Sequence, residues 1–131
     1  MDLSAFIQSP PIIQIHAVSA TAALIGGISL FVLPKGRKWH RWIGIFTAVC
    51  LVETTFTALF ITHPSRGHWS ALHWTIPFTT FWIVLVLFAL NQKRWPLHRW
   101  AGRITVVGTL IIPFLAAVLI PDRMMYDLVF G

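Results

Sequence analysis

His40-Arg41-Trp42-Ile43-Gly44-Ile45-Phe46-Thr47 returns further along the chain as His98-Arg99-Trp100-Ala101-Gly102-Arg103-Ile104-Thr105. A second histidine precedes each copy by nearly the same distance, His16 before His40 and His73 before His98. The chain therefore reads as two copies of one unit, each carrying two histidines. Apolar residues fill the space around both copies. Four runs, roughly 11–33, 41–62, 72–91 and 99–120, each approach the ~20 residues a helix needs to cross a bilayer.

Composition agrees. Hydrophobic residues make up 56% of the 131 residues and charged residues only 11%, whereas a soluble domain carries roughly a quarter charged. The expectation is an all-α membrane protein, a four-transmembrane-helix up-down bundle made of two parallel helical-hairpin repeats. Residues 1–131 form a single transmembrane domain, with repeat one over about 11–62 and repeat two over about 72–120. Such a chain has no room for a soluble catalytic domain.

The net charge of +6 raises nucleic acid as a partner, but its distribution points elsewhere. Lys35, Arg37, Lys38 and Arg41 share one short loop region, and Lys93, Arg94, Arg99 and Arg103 share another. Lysine and arginine concentrate on the cytoplasmic side of membrane proteins. The partner implied is the lipid bilayer, with no nucleic acid. Both basic loops then lie inside, and both termini and the middle loop lie outside. Trp39, Trp42, Trp95 and Trp100 mark the inner boundary, Trp69 and Trp74 the outer. A bacterial inner membrane is the expected location. The first apolar run follows Pro10-Pro11 without a charged start and reads as a retained helix, not a cleaved leader. Cys50, the single cysteine, reads as a core thiol.

Depth sorts the histidines into pairs. His16 and His73 lie about 25 Å from the inner ends of their helices at 1.5 Å per residue, level with each other near the outer side. His40 and His98 open the second and fourth helices and are level near the inner side. In an up-down bundle each pair is diagonal, roughly 11–14 Å between axes. Two imidazoles reaching inward across that gap suit the two faces of a porphyrin iron; a lone zinc wants four close ligands. The predicted cofactors are two molecules of haem b, the outer on His16 and His73, the inner on His40 and His98. Gly44 and Gly102 lie one helical turn beyond the inner histidines and leave backbone free beside a flat macrocycle. On the first helix His16, Ala20, Ala23 and Gly27 make a stripe of small residues for the same purpose. Arg41 and Arg99 follow the inner histidines and suit haem propionates, as does Arg66 outside. The ordinary alternatives are interfacial histidines, glycines that let helices pack, and arginines that only set topology. The combination on four helices at two levels favours the haem reading.

Other residues carry weaker signals. His63, His68 and His73 offer an outer-face metal site, or are plain loop histidines. Glu53 is the only acid inside a span, a candidate for proton transfer at a quinone site or for a hydrogen bond to a neighbouring helix or subunit. Pro77 and Pro113 are expected to kink the third and fourth helices, and Trp82 reads as packing.

Lys35-Gly36 ahead of His40-Arg41-Trp42-Ile43-Gly44, then His98-Arg99-Trp100-Ala101-Gly102-Arg103, then Pro121-Asp122-Arg123-Met124-Met125 resembles a family of small bacterial four-helix membrane proteins of unknown function. The likeness runs from His16 onward. The level-paired histidines more loosely resemble the transmembrane di-haem b cytochromes of the cytochrome b561 and ferric reductase group. That resemblance implies electron transfer across the membrane, with a quinone or another redox partner; no ascorbate, flavin or nicotinamide motif is recognisable. Two other readings stand beside it. One is a haem-free accessory subunit of a larger membrane complex, or a homodimer. The other is an outer-face metal-binding or transport protein built on His63, His68 and His73.

Overall fold

The computed structural model describes residues 3–61, 71–121 and 124–131. Among these the protein is all-helical, with no strand. A short α1 (Leu3–Ile7) precedes α2 (Pro11–Val32), and α3 spans Lys38–Ala58. A 3₁₀ turn at Ala71–Trp74 leads into α4 (Thr75–Asn91). The last long helix runs as α5 (Trp95–Thr105), a π-helical segment (Val106–Ile111) and α6 (Ile112–Leu119); α7 (Met124–Phe130) follows. Two helices, Pro11–Val32 and Trp95–Leu119, are long and apolar enough to cross a membrane, and α4 is a shorter apolar helix.

Local chemistry sets the ends. Pro10 and Pro11 open α2, where a missing N–H costs nothing. The turn after α2 passes through Gly36 at φ 80°, a left-handed conformation glycine adopts freely. The turn after α4 passes through Lys93 at φ 54°. Arg94 N–H reaches the Ala89 carbonyl at 2.8 Å and Lys93 N–H reaches Leu90 at 3.1 Å. That is a Schellman cap with lysine where glycine is usual. Pro77 falls in the first turn of α4, where it breaks no helical bond. Pro113 lacks the N–H that would reach Thr109. The helix absorbs this without stopping by widening to π pitch just ahead of it, so Ile112 N–H reaches Val107, five residues back.

Packing closes a ring. α2 packs on α3, α3 on α4, α4 on α5, and the π segment returns to α2. The short α1 and α7 pack on each other, so the two chain ends meet at one end of the protein, here the terminal end. The core is small: Ala23, Cys50, Leu51, Val106 and Leu110. The other buried side chains are mostly hydroxyls, Ser19, Thr47, Thr57, Thr79, Thr105 and Thr109. Large apolar side chains such as Ile25, Phe31, Val49, Phe56, Phe81 and Val84 point outward. Small residues at helix contacts with bulky ones outside is the pattern of helices packed in lipid, where burying apolar area gains nothing over lipid contact. Each buried hydroxyl whose bond is resolved returns to its own helix, as Thr47 to Ile43 at 2.7 Å and Thr105 to Ala101 at 2.8 Å.

Candidate functional site

The two copies of the repeated motif stand in like surroundings. His40 lies in the first turn of α3 and His98 in the first turn of α5, both half-buried. The Nδ1 atom of each is out of contact with solvent and has no hydrogen-bond partner among the described residues. Leaving a buried polar atom unpaired costs roughly 1–3 kcal/mol. Burial first, then the neighbouring His98 and Lys35, hold the His40 imidazole, which lies ahead of the second apolar run, below the ordinary histidine range. One imidazole on α3 and one on α5 thus each keep an Nδ1 that nothing among the described residues engages.

The glycines divide into two kinds. A Cβ on Gly27 would press on Leu110 Cδ1 at 3.0 Å and on the two Val106 methyls at 3.1 and 3.2 Å. One on Gly26 would collide with the Thr47 hydroxyl, and one on Gly108 would meet Phe78 at 2.9 Å. These three are helix-packing glycines. Gly44 and Gly102 differ: a Cβ on Gly44 would meet only Leu30 at 4.0 Å, and one on Gly102 would meet nothing within 4 Å. Packing gives no reason for glycine at either position. Each leaves bare backbone one turn beyond its histidine, Gly102 beside open space and Gly44 at ordinary contact distance from Leu30. Arg41 and Arg99 are exposed, and no carboxylate pairs with them among the described residues.

His16 and His73 stand in different surroundings. His16 Nδ1 lies 3.1 Å from the Thr54 carbonyl oxygen and 3.0 Å from Thr57 Oγ1. Donation to that carbonyl fixes the ring and leaves Nε2 as the nitrogen with a lone pair, the arrangement found around metal-bound histidines. His73 is buried, with 7% exposure, on the 3₁₀ turn ahead of α4 and not within the long helix expected there. The stripe expected to make room on α2 does not do so along its length. Ala23 has 0% exposure in the core, and Gly27 is filled by Val106 and Leu110. Small residues there serve helix contact because the π segment leans on α2.

Glu53 is exposed in a groove between α2 and α3, and its carboxylate makes no hydrogen bond or ion pair among the described residues. The expected bond from Glu53 to a neighbouring helix is therefore not made within them. Trp82 packs edge-to-face on Phe78, Phe81 and Trp100, with ring centroids 5.9, 5.4 and 5.3 Å apart, and joins α4 to α5. His63, Arg66, His68 and Trp69 lie outside the described residues, and no cluster of three metal-ligating side chains forms among those described. Ser19, Thr54 and Thr57 carried no signal in sequence: threonine and serine in an apolar helix usually bond only to their own backbone. Comparison with known proteins finds no match, whether among family models, curated proteins or solved structures.

Proposed function

We propose that the chain is a four-helix membrane bundle of two parallel hairpin repeats that carries electrons across a bacterial inner membrane, with both termini on the outer side. In this reading His40 and His98 hold one b-type haem near the inner face, and His16 with His73 a second near the outer face. The observation that carries it is the inner pair: two buried imidazole nitrogens on separate helices, unpartnered among the described residues, each one turn from a glycine that helix packing does not require. The donor set fits, since neutral imidazole is an established axial ligand of haem iron. When bound, the haems supply reversible one-electron chemistry. The protein's part is to position the rings, to offer Arg41 and Arg99 to propionates, and to keep water out with the core between the levels. At the outer level the ring of His16 is oriented by Thr54 and Thr57, which supports ligation through Nε2.

A second reading rests on Glu53 and the outward aromatic faces: a haem-free subunit whose exposed acid is covered by a larger complex. A reduced-minus-oxidised visible spectrum, with haem counted per chain, decides between them. A b-type α-band with two haems per chain supports electron transfer. A colourless protein refutes it.

A further inference from the structure

The groove that holds Glu53 is a built feature of the outer half of the protein. It has a volume of about 520 Å³ and runs between α2 and α3, with Phe6 and Phe46 among its walls. Its polar groups are Gln14, Ser19, Cys50 and Glu53. Gln14 Nε2 donates to the carbonyls of Phe6, Ile7 and Ser9 at 3.0, 3.1 and 2.9 Å. The Ser19 hydroxyl donates to the Ile15 carbonyl at 2.8 Å and accepts from Thr54 at 3.2 Å. The strong donors are thus spent on the protein's own backbone. What remains is acceptor: the Glu53 carboxylate, Gln14 Oε1 and the second Ser19 lone pair, with the Cys50 thiol as a weak donor only.

A site of acceptors selects a ligand that donates. Its depth narrows the choice. Glu53 lies five residues before the end of α3, about 7.5 Å below it along the helix. A phospholipid headgroup or an ammonium stays in the interfacial layer, whereas a neutral ring on an apolar tail enters the hydrocarbon. The volume lies in the range of small-molecule sites, about 300–1,000 Å³, and aromatic side chains wall it. A second copy of the chain is a poor fit, because a two-fold contact sets the same patch against itself and a concave patch needs a ridge to fill it.

We propose that this groove binds the headgroup of a membrane-soluble hydroquinone, with Glu53 accepting a hydrogen bond from one hydroxyl. The proposal rests on the membrane-spanning part of the reading above and does not require the haems. The oxidised quinone carries only carbonyl acceptors, so the same groove disfavours it. The site is therefore selective for the reduced form.

The test is binding of a tritiated alkyl hydroquinone, kept reduced under nitrogen, to the full chain in lipid nanodiscs, with empty nanodiscs as the blank. Saturable binding is expected, at least tenfold tighter than for the corresponding quinone or for an alkylammonium of equal chain length. Glu53→Leu, which removes the acceptor, is expected to weaken binding tenfold or more. Val18→Trp, which fills the groove from an exposed wall position, is expected to do the same; if one variant fails to fold, the other decides. Equal binding of both redox forms, preference for the alkylammonium, or unchanged binding in a folded variant overturns the proposal. So does a Cys50–Cys50 disulfide between two chains under mild oxidation, since a second copy would then occupy the groove. Extraction of membranes with alkaline carbonate tests the membrane reading by itself: release of the chain sinks that reading, and retention with no hydroquinone binding sinks the groove alone.

Discussion

Alanine at Gly27 and alanine at Gly102 make a matched pair of perturbations. Both glycines lie inside long helices, so both substitutions gain the same helix propensity, about 1 kcal/mol. The gain cancels between them, and the difference isolates packing. At Gly27 the added Cβ presses on three methyl carbons at 3.0–3.2 Å, all from Leu110 and Val106, which are themselves buried. Overpacking of that kind costs roughly 1–3 kcal/mol. At Gly102 the added Cβ meets nothing within 4 Å. The haem-free Gly27→Ala protein is therefore expected to be about 1–3 kcal/mol less stable than Gly102→Ala, and Gly102→Ala no less stable than the parent. Reversible unfolding by sodium dodecyl sulfate in mixed micelles, followed by tryptophan fluorescence, reads the difference. Equal destabilisation by the two substitutions would refute the division of the glycines. A bulkier test separates fold from site: Gly102→Leu is expected to keep the haem-free fold and to lower haem retention.

Further expectations concern single groups. His40→Ala and His98→Ala should each remove the same single haem and the double substitution no more, while His16→Ala removes the other; pigment analysis that finds full haem in both inner variants would break the pairing. Thr57→Val deletes one of the two partners of His16 Nδ1 and should cost about 1 kcal/mol, with the Thr54 carbonyl bond kept; a change in the imidazole ¹⁵N shift that matches complete loss of hydrogen bonding would contradict that. Lys93→Gly removes a left-handed lysine from the cap of α4 and should raise stability by up to about 1 kcal/mol in the same unfolding assay. Trp82→Ala should loosen the α4–α5 seam by at least about 0.5–1.5 kcal/mol, the worth of edge-to-face ring contacts beyond area, with loss of near-ultraviolet dichroism.

Helix positions were legible because apolar runs of this length admit little else, and Pro10-Pro11, Gly36 and the Asn91 to Pro96 break mark their ends. The fourth helix begins at Trp95, not 99, since proline is at home in a first turn and Trp95-Pro96 opens the helix instead of preceding it. At Pro113, where a kink was expected, the helix widens to π pitch; the proline marks the place in sequence, but not which of the two responses the helix takes. That His40 and His98 would each stand near the start of a helix was readable from spacing. The different duties of the glycines were not: Gly27 and Gly44 look alike until the neighbouring helix is in place, because the distinction lies in Val106, Leu110 and Leu30, far away in sequence. The partners of His16 were hidden for the same reason.

The way the buried hydroxyls bond back to their own helices bears on how the protein is made. Thr47, Thr105 and Thr109 are satisfied before any neighbour arrives, as are Thr54 and Thr57. If the proposed membrane reading holds, each such helix enters lipid without stranding a hydroxyl there. His16 is the exception, because its ring finds its partners on α3. In the proposed membrane reading the His16 ring is therefore satisfied only once α2 and α3 have paired, so the first hairpin, and not α2 alone, is the piece in which that ring has its partners.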